Sequence, residues 1–162
     1  MKNINLIISV IDSPVKIAIY KNKKLSEIIK FNETDKTSDL LPIKIKEILD
    51  KYGKENIESI VYTNTPGSFM AIKVAYLFLK TISIAMNIKI LAIDGFYLNQ
   101  NKPIKAIGKM HFIKNLETQK TELVATIKLN KNDLINSVKF PEIFNSDDFS
   151  DEIEPIYNLP AV

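Results

Sequence analysis

Cysteine, arginine and tryptophan are missing from all 162 residues, glycine occurs four times and histidine once. Without cysteine the chain has no disulfide framework, no thiol nucleophile and no thiolate metal site, a composition suited to a cytoplasmic protein. Without arginine it lacks the side chain that makes bidentate phosphate and base-edge contacts and serves as an arginine finger. That weighs against base-specific nucleic-acid readout and against phosphoryl-transfer catalysis. All 22 basic residues are lysine, scattered along the chain, and the net charge of +3 is mild. Read from spacing alone, they make a solvated surface rather than a nucleic-acid stripe. The opening, MKNINLIISVIDSP, has no signal-peptide h-region or cleavage site. No run is long enough to be an uncharged spanning helix, since the best candidate, Phe69–Met86, contains Lys73 and Lys80. Nothing here calls for a membrane.

What the chain does have is apolar residues, 46% of the total, ample for a packed core. Asn5–Ile11 is a nearly continuous apolar strand, Val15–Tyr20 an alternating one and Lys24–Phe31 a more polar third, joined by connections short enough for an antiparallel meander. A helix follows over Ser38–Tyr52, with Ser38 placed to cap it and Gly53 just past its end. Then come a strand at Ile57–Thr63, a long helix at Ser68–Met86 and a strand at Lys89–Ile93. The last two strands must return through helical crossovers and so run parallel. The layout predicts an α/β fold, an actin-like (ribonuclease-H-like) half domain with a mixed five-stranded sheet, over residues 1–95. Residues 96–162 read as a reduced, β-rich C-terminal domain, with strands at Ile104–Lys114 and Glu122–Leu129, a short helix at Asn130–Ile135 and an acidic loop at Asn145–Glu154.

Catalytic constellations are scarce. His111, in a strand-like segment, has no metal-ligand neighbour at i+4 and there is no cysteine, which predicts an exposed or packed histidine. Ser68 follows Gly67 but lacks the second glycine of a nucleophile elbow, so it reads as a helix cap. Asp147, Asp148, Asp151 and Glu152 lack the glycine and spacing of a calcium loop. The turn Thr63–Ser68 precedes a helix N-terminus, yet a single glycine does not let backbone hug a polyphosphate. Asp12 follows the first strand directly before Ser13–Pro14, where a nucleotide-binding protein of this layout carries a Gly/Thr/Ser-rich turn. No catalytic residue, metal site or cofactor is predicted.

Surplus grease is the positive signal. At 100° per residue, Ala71, Ala75, Phe78, Leu79, Ile82 and Met86 fall on one side of the long helix. Met70, Val74, Leu77, Thr81 and Ile84 fall on another, at steps of four and three, like a coiled-coil seam bordered by Lys73 and Lys80. The earlier helix also carries more than one stripe, in Leu40, Leu41, Ile43, Ile45, Ile48 and Leu49. We expect a partner-binding helix pair made of Leu40, Leu41, Ile45, Ile48, Met70, Lys73, Val74, Leu77, Lys80, Thr81 and Ile84. Two alternatives stand beside it: an actin-like small-molecule kinase or nucleotide-binding protein, and a self-associating domain that uses the same helices only for a homodimer.

The segment TNTPGSFMAIKVA, Thr63–Ala75, resembles the motif G-R-G-P-G-S-F-T-G-[VL]-R-I-G of the TsaB (YeaZ) family, which lies between a strand and the long second helix. The motif loop here is Thr65, Pro66, Gly67, Ser68 and Phe69; the last four match outright, Lys73 replaces the arginine and Ala75 the final glycine. KTSDLLP, Lys36–Pro42, is similar to the family's H-S-x-x-L-L-P with Lys36 in place of histidine, and PIYNL supplies the proline and tyrosine of a terminal P-x-Y-L as Pro155 and Tyr157. Ser9 stands where the family's opening D-T-[AS]-T has aspartate. The resemblance implies a non-catalytic, cytoplasmic subunit of a tRNA threonylcarbamoyladenosine-modifying complex. It would bind a TsaD-type catalytic subunit helix pair to helix pair, with a TsaE-type ATPase joining. It would form a homodimer when alone, and contact tRNA only indirectly or weakly.

Overall fold

A computed structural model describes residues 1–11, 14–134 and 138–158. Three strands, β1 (Ile4–Ser9), β2 (Lys16–Lys21) and β3 (Lys24–Lys30), form the expected meander, with β1 antiparallel to β2 and β2 to β3. The chain then enters α1 (Thr37–Tyr52), returns as β4 (Ile57–Thr65), crosses through α2 (Phe69–Met86) and returns as β5 (Lys89–Asp94). Both β4 and β5 are parallel to β1, and the sheet order is β3-β2-β1-β4-β5. Each of the central strands β1 and β4 is buried almost throughout, because one face carries α1 and α2 and the other carries the C-terminal segment.

The two long helices end as their sequences direct. Gly53 takes φ of 82° after α1 and its N–H bonds the Leu49 carbonyl at 2.9 Å, while Asn87 closes α2 in the left-handed region. The start of α1 differs from expectation. Lys36 holds the cap position without a side-chain cap bond, and Ser38 lies inside the first turn with its hydroxyl toward Asp39. Ser68 does cap α2, its Oγ accepting from the Ala71 N–H at 3.5 Å.

Beyond Asp94 a four-residue helix, α3 (Gly95–Leu98), leads into a three-stranded antiparallel sheet: β6 (Ile104–Lys105), β7 (Met110–Lys114) and β8 (Thr121–Ala125). The expected single strand Ile104–Lys114 is thus a hairpin, broken at Gly108, whose φ is 59°. The expected strand end at Leu129 is instead a 3₁₀ turn over Thr126–Lys128, and a second 3₁₀ turn occupies Lys131–Leu134; Ile135 lies outside the described residues. This small sheet packs through Ile104 and Phe112 on Ile11 and Phe96, below the C-terminal ends of β1 and β5.

After residue 95 the chain departs into the small sheet and then returns to the main one. Phe140 and Phe144 return to bury themselves with Ile7, Tyr20, Val61 and Leu91 on the face opposite α1 and α2. On the way the segment bridges the β3 edge at Lys24–Ile143 and the β5 edge at Ala92–Ser150. The acidic stretch is therefore part of a belt. It crosses the sheet face, rounds the β5 edge, and sets Ile153 against the core shared with the helices.

Candidate functional site

The motif loop sits where the C-terminal ends of the parallel strands converge. Thr63 Oγ1 accepts the Val10 N–H at 2.9 Å, tying β4 to the chain just past β1. The Thr65–Pro66 peptide is cis, and a Cβ on Gly67 would lie 3.2 Å from the Val10 carbonyl oxygen. A Cβ on Gly95 would collide with Ile11 Cγ2 and lie 3.1 Å from the Thr65 carbonyl oxygen. Both glycines thus let the strand ends and helix starts touch. Ile11, buried, fills the space between them. Asp94 accepts from the Phe96 N–H at 2.9 Å and pairs with Lys114 at 3.1 Å, which ties β7 to the end of β5. Asp12 and Ser13 lie outside the described residues. Among the described residues no group of three histidine, aspartate or glutamate side chains is placed to hold a metal ion.

His111 is buried in β7 with Nδ1 2.7 Å from Thr126 Oγ1, a packed histidine joining β7 to the turn after β8.

Two pieces of sequence far apart in the chain meet at the loop. The Tyr157 ring rests 4.4 Å from the Phe69 ring, Asn158 Nδ2 donates to Thr65 Oγ1 at 2.7 Å, and the Ile156 N–H bonds the Asn64 carbonyl at 3.0 Å. Asn64 Nδ2 in turn donates to the Glu154 carbonyl at 3.0 Å, and the Tyr62 hydroxyl donates to the Ile153 carbonyl. The belt is thereby pinned along β4. Burial holds the Tyr62 hydroxyl far above the ordinary phenol range, reinforced by Tyr76, Tyr157 and Glu154. Lys73 Nζ lies 5.7 Å from the Phe69 ring centroid.

The α2 faces fall as their 3.6-residue period requires. Ala75, Leu79 and Ile82 are buried on the sheet, together with Ile72, which the projection missed because the heptad seam absorbed its neighbours. Phe78 and Ala71 pack against the same core, whereas Met86 is exposed. The opposite face is bare: Met70 is 62% exposed, Leu77 53% and Ile84 76%, with Lys73, Lys80 and Thr81 exposed and Val74 half-buried beside them. By length and composition α2 would also cross a membrane, but its buried stripe is spent on the sheet.

The α1 contribution needs correction. Leu41, Ile45 and Ile48 are buried against the sheet and α2, so they cannot form part of an outward helix-pair surface. Their i, i+4, i+7 spacing is the core stripe of α1. Leu40 is half-buried against the core; the exposed apolar residue of this helix is Ile43. Between the helices runs an apolar groove of about 460 Å³, lined by Pro42, Leu49, Phe78, Ile82 and Met86, with Lys46 and Asp50 at its rim.

Solved structures place this architecture. A YeaZ structure from Pseudomonas aeruginosa superposes with a TM-score of 0.52 at 15% identity, covering 77% of this chain and 65% of that one. The crystal structure of an uncharacterized protein with similarity to peptidase YEAZ, from the same organism, gives 0.56 at 15% identity, covering 77% and 64%. The molecule is an actin-like α/β protein with a mixed five-stranded sheet. In sequence, residues 34–101 match a family model described as TsaD: tRNA N6-adenosine threonylcarbamoyltransferase. The tRNA threonylcarbamoyladenosine biosynthesis protein TsaB of Buchnera aphidicola is 26% identical over 135 residues, 80% of this chain and 61% of that protein. The chain is thus similar in sequence to a TsaB protein and in fold to YeaZ structures, and it spans about three fifths of the length of the Buchnera relative.

Proposed function

We propose that this chain is a non-catalytic, cytoplasmic subunit in tRNA threonylcarbamoyladenosine biosynthesis, and that the exposed α2 face docks a TsaD-type catalytic subunit. The observation that carries the reading is that face. Met70, Leu77 and Ile84 recur at heptad spacing, point outward and lie on the helix that directly follows the motif loop. Such a seam offers knobs to a partner helix. The name of the Buchnera relative supplies the pathway, and the TsaD family-model match is consistent with a fold shared with the partner. A TsaE-type ATPase would join the assembly, and a homodimer through the same α2 face would compete with it.

Co-purification with a TsaD-type protein tests the reading. Leu77→Asp places an unpaired charge in the face and should weaken binding by about 2–4 kcal/mol, the scale of an interface hot spot, with the fold intact by circular dichroism. Phe78→Asp, one residue round the helix and packed on the core, should unfold the chain instead. Capture unaffected by Leu77→Asp, or no capture of a TsaD-type protein by the native chain, would defeat the proposal.

A further inference from the structure

The net charge of +3 conceals a sharp partition. Residues 102–134, the small sheet and its turns, hold seven lysines against three carboxylates, whereas residues 138–158 hold one lysine against six. Three of these seven lysines, Lys105, Lys109 and Lys128, gather at one end of the small sheet. Lys105 on β6 pairs in register with His111, which pairs with Val124 on β8. The Lys109 carbonyl accepts the Thr126 N–H at 2.8 Å, which brings the β6–β7 turn beside the 3₁₀ turn that carries Lys128. Among the described residues Lys105, Lys109 and Lys128 are exposed and none has a carboxylate within ion-pair distance. The same two turns push out Ile107, 62% exposed, and Ile127, 93% exposed.

We propose that this lysine-ringed tip is an RNA-backbone contact, giving the subunit a direct, sequence-independent hold on tRNA. The inference rests on the reading above for the identity of the polyanion. Unpaired lysines on adjoining turns neutralise phosphates as point charges, and the missing arginines mean that no bidentate base readout is expected. The exposed isoleucines supply apolar contact to sugar and base faces once the phosphates are engaged. Along the sequence the lysines look scattered; hairpin pairing brings these three together.

The test is filter binding of an unmodified tRNA transcript to the full chain, alone and with the TsaD-type subunit, across a salt series. The triple variant Lys105→Gln, Lys109→Gln, Lys128→Gln is compared with Lys2→Gln, Lys21→Gln, Lys54→Gln, an equal charge change on exposed lysines at the opposite end of the main sheet. The tip triple should lower affinity at least tenfold and reduce the salt slope by about two to three, as expected for loss of three phosphate contacts. The control should change affinity less than threefold. Equal losses in both triples would show mere net charge and overturn the proposal. So would binding of the tip to phosphatidylserine vesicles with none to tRNA. Co-purification with the TsaD-type subunit is scored on the same tip variant. Capture retained with tRNA binding unchanged refutes the tip alone; tip-dependent tRNA binding without capture refutes the partner and supports the tip.

Discussion

Single residues in this molecule are constrained mostly by what lies within a few tenths of an ångström of them. Gly67 and Gly95 are required because backbone and Ile11 stand where a side chain would begin. Gly67→Val should cost about 1–3 kcal/mol by overpacking, measured as the shift in urea midpoint at constant m-value. An unchanged midpoint would mean the turn yields. Tyr62 and Tyr20 make a second, chemical prediction. Burial holds both hydroxyls above the ordinary phenol value, Tyr62 against the Ile153 carbonyl and Tyr20 against the Pro141 carbonyl at 2.7 Å. The folded chain keeps these protons at a pH where the unfolded chain releases them. Their contribution is therefore complete below about pH 10, the free phenol value, and declines as pH rises above it. Urea melts at pH 8 and pH 11 should show that decline, and Tyr62→Phe and Tyr20→Phe should each make it shallower.

At the level of elements, the 3.6 period of α2 was legible and fixed its burial pattern, because a helix against a flat sheet must bury one stripe. Leu79→Ala, fully buried on that stripe, should cost about 2–5 kcal/mol, whereas Leu77→Ala should cost little in the isolated chain; thermal melts of the pair check both. α1 misleads because abundance of leucine and isoleucine was read as a spare face. Its core needs Leu41, Ile45 and Ile48 for the sheet, and only Ile43 is truly outward. The PGSF turn was readable as a strand-to-helix connection with a capping serine. Its contact with Tyr157 was not, since no periodicity links residues 69 and 157. The belt was illegible for the same reason. Phe140, Phe144 and Phe149 sit in irregular chain, and the carboxylates around them look like a solvated loop until the sheet beneath is known. The basic tip escaped because hairpin pairing, not sequence spacing, brings Lys105, Lys109 and Lys128 together.

For the whole molecule, the belt decides what the sheet shows to its surroundings. Edge strands offer unpaired backbone groups to any other strand, and here β3 is bridged by Ile143 and β5 by Ser150. A chain shortened after Asn145 loses the Ser150 bridge, the Tyr62–Ile153 and Asn64–Glu154 bonds and the Tyr157–Phe69 contact. It should associate in a concentration-dependent way by light scattering and melt earlier than the intact chain. A monomer with an unchanged melting temperature would show that β5 needs no cover.

The same belt has a consequence in time. All five strands of the main sheet have been synthesised by Asp94, yet the segment that guards its last edge is centred on Ser150. At about 5–20 residues per second the ribosome needs roughly 3–10 s to supply the intervening stretch. A sheet formed in that interval would have its β5 border uncovered. Neighbouring nascent copies on one messenger would meet through that border. With its clasp arriving late, the nascent chain should be more prone to associate through β5 than the finished protein is.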